Sequence, residues 1–183
     1  LIVGRIKGVE RPPLGVLIPT TKGVSLLVDN GANVDARASH LVQFAKMGSV
    51  YAENALGMKN PRVALVNIGA EKEKGNALTK ETYELLEQAE NINFIGNIEP
   101  RNIPFGEADV IVCDGFVGNT VLKLSEGMAK TMVDHGDNIT VINSKTLCGP
   151  HRYLVDVAVK LVEAGKTKSE IISEVEALIE TST

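Results

Sequence analysis

Side chains capable of binding or catalysis are concentrated in three loops, each of which follows a short apolar run. Aspartate, asparagine, lysine and glycine dominate these loops, and such residues can bind an anion, polarise a carbonyl group or orient a substrate. The candidates are Asp29, Asn33 and Asp35 in the first loop, Lys74 and Asn76 in the second, and Asp114, Gly115, Gly118 and Asn119 in the third.

The third loop, from Asp114 to Asn119, lies between an apolar run and a predicted helix. Glycines at 115 and 118 let backbone N–H groups approach an anion closely, and a helix N-terminus adds a favourable dipole. A tight strand-to-helix turn without any ligand explains the same spacing equally well. Neither the Walker A motif nor the GxGxxG dinucleotide motif occurs in the chain, so we expect no cofactor.

The other two loops also allow two interpretations each. Lys74 can neutralise a phosphate group or polarise a carbonyl group as a mobile point charge, or it is a solvated lysine among other loop charges. Asp29, Asn33 and Asp35 either orient a substrate or hold a metal ion, or they stabilise a turn through hydrogen bonds to their own backbone. The residue types alone leave these alternatives open.

Cysteine and histidine usage argues against metal and covalent chemistry. Cys113 and Cys148 form no CxxC pair, and the histidines at 40, 135 and 151 show no metal-ligand spacing with them, so we expect no metal site and no disulfide framework. Cys113 lies inside an apolar run, which indicates a packed thiol rather than a nucleophile. No serine-nucleophile motif is present either.

The elements that must position these loops are short apolar runs alternating with amphipathic helices. Strands are predicted at residues 23–29, 63–68, 93–96 and 108–113. Three helices are predicted, one at 39–56, one that begins with Thr79 as its N-cap and one at 120–132. Strands that are apolar throughout indicate an α/β fold with a parallel sheet covered on both faces. Ligands bind such sheets beyond the carboxyl ends of the strands, which is where the three loops lie.

The last part of the chain, residues 136–183, has a different pattern. A strand is predicted at 138–143, followed by a helix that ends at Gly165. A capping box of Thr167 and Glu170 then opens a final helix. We therefore expect a small C-terminal β-α-α segment after a boundary at residues 133–136.

Composition excludes several classes of protein. The 183 residues are 44% hydrophobic and 23% charged, as in ordinary globular proteins. The net charge of −4 argues against a nucleic-acid-binding surface. No apolar run reaches the roughly 18 to 20 residues of a membrane-spanning helix, and Leu1–Arg5 is too short for a signal-peptide core. Together with only two cysteines, these features favour a cytoplasmic protein.

Several multi-residue motifs resemble the phosphate acyltransferase PlsX family. They include "LLVDNGANVD", "NIGAEKEKGNALT" and "VCDGFVGNTVLK", and the resemblance runs collinearly over residues 1–132. It implies a three-layer α/β/α sandwich with a mostly parallel sheet, similar to phosphotransacetylases and isocitrate dehydrogenases. It also implies reversible transfer of a long-chain acyl group from acyl carrier protein to inorganic phosphate, giving an acyl phosphate for phospholipid synthesis. A homodimer that associates peripherally with the cytoplasmic face of the membrane is implied as well.

The resemblance further implies roles for individual residues. The family's catalytic lysine falls on Lys74 and its catalytic aspartate on Asp114. Three asparagines fall in motif loops that shape the substrate pocket, namely Asn33, Asn76 and Asn119. Because phosphate itself attacks the thioester, the protein needs no nucleophile and must instead position phosphate and stabilise the oxyanion. Lys74 and the N–H groups around Gly115–Asn119 suit that charge stabilisation.

The PlsX resemblance covers only part of the family's pattern. The family motifs "DAMGGD", "GNTGA" and "GGA" do not occur in the chain, and Ala70 and Asn30 stand where the family usually has Thr and Val. Residues 136–183 instead resemble part of a DegV-family fatty-acid-binding protein, through "NITVINSKTLCGPHRYLV" and "LVEAGKTKSEIISEVEALI".

Three hypotheses about function result. The first is a phosphate acyltransferase, the second is a fatty-acid carrier of DegV type, and the third is a catalytically silent α/β scaffold. Phosphate-dependent release of the carrier thiol distinguishes the first, whereas retention of a fatty acid without turnover distinguishes the second.

Overall fold

A computed structural model of the chain describes residues 7–135, 140, 142 and 148–181, with the backbone alone at 148–152. The strands are β1 (Gly15–Thr20), β2 (Gly23–Val28), β3 (Arg62–Val66), β4 (Asn93–Ile98) and β5 (Val110–Val112). The α-helices are α1 (Ala38–Leu56), α2 (Ala77–Glu87), α3 (Gly115–His135), α4 (Cys148–Glu163) and α5 (Lys168–Thr181), and a 3₁₀ helix covers Pro100–Phe105. The chain divides into two compact units, residues 1–130 and residues 131–183.

The five strands form one mixed sheet in the order β1-β2-β5-β3-β4. β2, β5, β3 and β4 run parallel, and β1 pairs antiparallel with β2 at one edge. β1 was not predicted from the sequence, because its GVLIPT run contains a proline that only an edge position tolerates well. The carboxyl ends of the four parallel strands meet at one edge of the sheet. This edge carries all three loops with candidate residues.

Two hydrophobic clusters cover the two faces of this sheet. On β2, Leu26 and Val28 face the cluster built with α1 and α2, whereas Leu27 faces the cluster that includes Ile103 of the 3₁₀ helix. Val117, in the first turns of α3, packs against this second cluster. Because side chains alternate between the two faces of a strand, apolar runs in β2, β3 and β5 supply both clusters. The predicted α/β fold with a mostly parallel sheet between helical layers is confirmed.

α2 begins differently from its sequence pattern. Its N-cap is Asn76, whose side-chain Oδ1 accepts a hydrogen bond of 2.9 Å from the backbone N–H of Thr79. The prediction that Thr79 caps this helix is therefore wrong. Asn76 is the better cap because its short amide reaches an N–H group that the first turn leaves without a helical partner.

α3 begins at Gly115 rather than at the predicted Thr120. The carboxylate Oδ1 of Asp114 accepts hydrogen bonds from the N–H groups of Phe116 and Val117, each at 2.9 Å. Glycine disfavours helix, which is why the sequence pattern predicted a loop here. The capping aspartate and the packing of this turn outweigh that preference.

The second unit contains α4 and α5. Leu154, Val175 and Ile179 form its small buried cluster. The predicted capping box at the start of α5 is confirmed, since Thr167 and Glu170 each accept a hydrogen bond from the other's backbone N–H group. The strand predicted at 138–143 falls on a stretch of which only residues 140 and 142 are described. None of the helices in the described part of the chain combines the length and apolarity that crossing a bilayer requires.

Candidate functional site

A cavity of about 450 Å³ opens beyond the carboxyl ends of β3 and β5. Its walls are mostly apolar, with Leu41 from α1, Leu78 from α2 and Val117 from α3 among them. Its polar lining residues are Asn67, Asn76, Thr79 and Asp114. A largely apolar pocket with a few convergent polar groups is the usual form of a small-molecule site. The cavity also lies where parallel α/β sheets bind their ligands.

Asp114 brings a carboxylate to this cavity directly after β5. One of its oxygens, Oδ1, is held by two N–H groups of the first turn of α3. The remaining oxygen, Oδ2, makes no hydrogen bond within the described part of the chain. Asp114 is thus both the cap of α3 and a negatively charged group oriented by that cap. A carboxylate fixed in this way can orient a substrate or a nearby cation.

The backbone of the next residues is already engaged inside the protein. The N–H group of Gly115 donates to the carbonyl of Asn33 at 2.9 Å, and that of Gly118 donates to the carbonyl of Asp114 at 3.0 Å. Together with the two bonds to the Asp114 carboxylate, these account for the first four N–H groups of α3. The expected cradle of N–H donors for an anion is therefore occupied by protein acceptors in this structure.

Both glycines are buried where backbone segments pack closely. A Cβ at Gly115 would lie 3.0 Å from the backbone of Asn33, and one at Gly118 would overlap the carbonyl oxygen of Asp29. The close approach that the glycine spacing predicted thus exists, but its partner is the loop after β2. Contact of either glycine with a substrate stays a prediction.

The loop after β2 is organised around the buried carboxylate of Asp29. This group accepts hydrogen bonds from the N–H groups of Leu14, Asn30 and Ala32 at Oδ1, and from the backbone and side chain of Asn33 at Oδ2. The turn-stabilising interpretation of Asp29 therefore describes its contacts. Asn33 also donates from its side chain to the carbonyl of Pro12 at 3.1 Å, so its amide supports the loop.

The two remaining candidates from these loops are exposed. Asp35 is exposed and is not among the described residues that line the cavity. Asn119 is exposed on α3. It lies beside Gly31, since a Cβ added to Gly31 would lie 3.7 Å from the Cβ of Asn119. Neither Asn33 nor Asn119 is among the described residues that line the cavity. Their role in substrate binding stays a prediction.

Lys74 lies on an exposed loop between β3 and α2. The two residues that follow it, Gly75 and Asn76, line the cavity, but Lys74 is not among the described lining residues. No ion pair or hydrogen bond of its ammonium group is found in the described part of the chain, whereas Lys72 of the same loop pairs with Glu87. Lys74 is thus a cation at the rim of the cavity that is available to a ligand.

Asn67 is a cavity residue that was not predicted from the sequence. Only 5% of it is exposed, and its Nδ2 donates to the carbonyl of Lys74 at 3.1 Å while its Oδ1 accepts from the N–H of Ile68 at 2.8 Å. It was predicted as part of an apolar strand. A polar residue at the end of a buried run is the signal that could have identified it.

Cys113 is buried directly before Asp114 and belongs to the hydrophobic cluster around Leu27. Burial is the main reason that the pKa of its thiol is raised, and the nearby carboxylates of Asp114 and Asp29 add to this effect. A thiol that resists ionisation is a poor nucleophile. The structure therefore agrees with the interpretation of Cys113 as a packed core residue.

The comparison with known proteins identifies the family. The model of the fatty acid synthesis protein family matches residues 1–140. The chain belongs to this family. A phosphate acyltransferase from Clostridium perfringens strain SM101 is 60% identical over 133 residues, which are 73% of this chain and 39% of that protein. One from Desulfitobacterium hafniense is 52% identical over 159 residues, covering 86% of this chain and 45% of that protein. The PlsX resemblance is thereby confirmed.

These PlsX relatives are longer than the region they share with the chain, which spans about two fifths of their length. Among solved structures, the EutD phosphotransacetylase from Staphylococcus aureus matches with a TM-score of 0.55 and 18% identity, covering 68% of this chain and 44% of that one. At this identity the match concerns the fold. It agrees with the phosphotransacetylase-like architecture that the motifs implied.

Proposed function

We propose that the chain carries part of the active site of a phosphate acyltransferase, which transfers an acyl group from a thioester to inorganic phosphate. The observation that supports this most is the cavity beyond β3 and β5. It combines apolar walls with an oriented carboxylate, Asp114, and has an available cation, Lys74, at its rim. An apolar chain needs such walls, while a phosphate and a developing oxyanion need nearby donors or positive charge.

The reaction needs no nucleophile from the protein. An oxygen of hydrogen phosphate attacks the thioester carbonyl carbon and forms a tetrahedral oxyanion. The carbon–sulfur bond then breaks, and the thiol leaves with the proton that phosphate carried, so that an acyl phosphate and a free thiol are the products. This fits a site in which Cys113, a buried thiol whose pKa is raised, has no part in the chemistry.

Within this scheme the two charged residues have different tasks. Lys74 stabilises negative charge, either on phosphate or on the oxyanion, as a flexible ammonium group can. Asp114 orients a partner group, and its fixed carboxylate is suited to holding Lys74 or a phosphate hydroxyl in place. Asn76 and Thr79 supply further polar groups at the cavity wall.

The finer parts of the proposal come from the PlsX family. By similarity to that family, we propose that the acyl donor is acyl carrier protein and that the acyl chain is long. The acyl phosphate product would then be used in phospholipid synthesis. A homodimer, a cytoplasmic location and peripheral membrane association remain predictions. The alternatives for the chain are a fatty-acid carrier of DegV type, suggested by residues 136–183, and a catalytically silent scaffold.

The experiment is a two-product assay on the natural full-length protein with a long-chain acyl-(acyl carrier protein). Release of thiol is followed with a disulfide reagent, and acyl phosphate is measured as the labelled product formed from radiolabelled phosphate. We expect both products in equal amounts and only with phosphate present. Fatty acid that is retained without either product would favour the carrier hypothesis and contradict this proposal.

Two variants test the assigned roles. Lys74→Ala should lower turnover by about 100- to 1000-fold, as the loss of one aimed charge typically does. Lys72→Ala, in the same loop but paired with Glu87, is the matched control and should keep turnover. Asp114→Asn retains an oxygen that can cap α3 and should lower turnover without unfolding the protein. Wild-type turnover by Lys74→Ala would eliminate Lys74 as the charge-stabilising group.

A further inference from the structure

We propose that Asn67 and Asn97 are positioning residues, which hold the backbone of the Lys74 loop (residues 69–75) at the rim of the cavity. Asn67 directly follows β3, and Asn97 is the penultimate residue of the neighbouring parallel strand β4. Each donates its side-chain amide to a carbonyl of the loop. The inference rests on the proposed function in that it gives Lys74 a catalytic task.

Asn67 holds the C-terminal side of the loop. Its Nδ2 donates to the carbonyl of Lys74 itself, while its Oδ1 is fixed by the N–H of Ile68. The backbone N–H of Asn67 donates to the carbonyl of Ile98 at 2.9 Å, so the residue is anchored to the neighbouring strand. With its main chain and both ends of its amide held, Asn67 fixes the backbone carbonyl of Lys74.

Asn97 holds the N-terminal side of the same loop. Its Nδ2 donates to the carbonyl of Glu71 at 2.9 Å. That carbonyl also accepts the backbone N–H of Lys74 at 3.2 Å, which closes a turn from Glu71 to Lys74. The two asparagines therefore hold the two ends of one turn. Because both come from the rigid sheet, they transmit the position of the strands to the lysine.

Two glycines show that the loop is packed closely onto these groups. At Gly75, which has a φ of +97°, an added Cβ would overlap Oδ1 of Asn67 and lie 2.8 Å from its Nδ2. At Gly69 an added Cβ would lie 2.9 Å from Cγ of Lys74. The stem of the lysine thus runs over one glycine, and the Asn67 amide lies against the other. At Gly75 the positive φ and the contact with the Asn67 amide together favour glycine.

The test compares amide variants in the natural full-length protein, using kinetics and a probe of the loop itself. Asn67→Asp keeps the oxygen that accepts from Ile68 but loses the donor to Lys74, and Asn97→Ala removes the donor to Glu71. Asn93→Ala is the matched control, since Asn93 donates in the same way to the carbonyl of Asn60 at the opposite end of the sheet. The loop probe is the rate at which trypsin cleaves after Lys74, measured by mass spectrometry.

We expect kcat to fall by about 10- to 100-fold in Asn67→Asp, with KM for the acyl donor little changed, since misplacing a catalytic group by about 1 Å costs rate of this order. Trypsin should cleave after Lys74 faster in Asn67→Asp and Asn97→Ala, whereas Asn93→Ala should behave like wild type. As the pH falls, the carboxyl group introduced by Asn67→Asp becomes protonated, and its O–H can then donate a hydrogen bond as the amide did. The ratio of its kcat to that of wild type should therefore rise.

Wild-type kcat or wild-type cleavage in Asn67→Asp would overturn the inference, as would an equal loss of kcat in Asn93→Ala. If the wild-type protein itself transfers no acyl group to phosphate, the proposed function fails, and so does the catalytic consequence claimed for the asparagines. The cleavage rates still decide whether the two asparagines hold the loop. The two failures are thus distinguishable.

Discussion

The packing of Gly118 against the loop after β2 allows a direct test of the fold at the candidate site. Replacement by alanine would place a methyl group on the carbonyl oxygen of Asp29 and 3.0 Å from Sγ of Cys113. That carbonyl cannot easily move aside. The N–H of Asp29 donates to the carbonyl of Cys113, and the N–H of Cys113 donates to that of Val28, at 3.1 and 2.7 Å. α3 would have to shift away from the sheet instead.

The same helix offers a matched control at Gly127, where an added Cβ would meet nothing within 4 Å. Gly127→Ala should stabilise the protein by up to about 1 kcal/mol, since alanine favours helix over glycine by roughly that amount. Gly118→Ala gains the same helix preference but adds a steric overlap with backbone, which costs about 1–3 kcal/mol or more. We expect Gly118→Ala to be less stable than Gly127→Ala by about 3 kcal/mol.

Thermal unfolding followed by circular dichroism measures this difference. For a protein of this size, about 3 kcal/mol corresponds to a separation of roughly 6 to 12 °C between the two Tm values. Equal stability of the two variants would refute the close packing of α3 on the Asp29 carbonyl. Wild-type stability combined with weakened phosphate binding in Gly118→Ala would instead favour a role of this glycine in approaching an anion.

Two further predictions concern buried or partly buried groups near the sheet. Cys113→Ala should retain turnover and cost about 1 kcal/mol of stability. Iodoacetamide should modify Cys113 of the wild type only after unfolding, because burial raises the pKa of its thiol. Rapid labelling of Cys113 in the folded protein, distinguished from Cys148 by mass spectrometry of the peptides, would contradict this. The side-chain hydrogen bonds that Arg62 donates lower the pKa of Asp109 below its usual 3.8. The pair should therefore stabilise the protein above that value, with the contribution lost as the pH falls through the lower folded pKa. The free energy of unfolding, measured with urea at several acidic pH values, should fall less with decreasing pH in Arg62→Ala than in wild type. An identical fall in both proteins would show that the Arg62–Asp109 pair is not its cause.

Local patterns in the sequence were sufficient for the class of fold and for the family. Residues 63–66, at the start of the strand predicted at 63–68, are apolar without alternation, and this indicates a strand buried on both faces, as β3 is. The collinear motifs likewise predicted the family that the comparison confirms. The edge strand β1 was missed because its proline and its exposed residues weaken the pattern.

The alternation of strands and helices, the loops that carry the reactive side chains and the family can therefore all be predicted from the order of residues. Which of those loop residues face the cavity depends on how the chain folds. Asp114 and Asn76 do, whereas Asn33 supports a loop built on the Asp29 carboxylate. The physical reason is that these contacts join segments far apart in the chain. Asp29 and Cys113 are 84 positions apart, and no local pattern of residues encodes which distant backbone atom a glycine or an amide will meet.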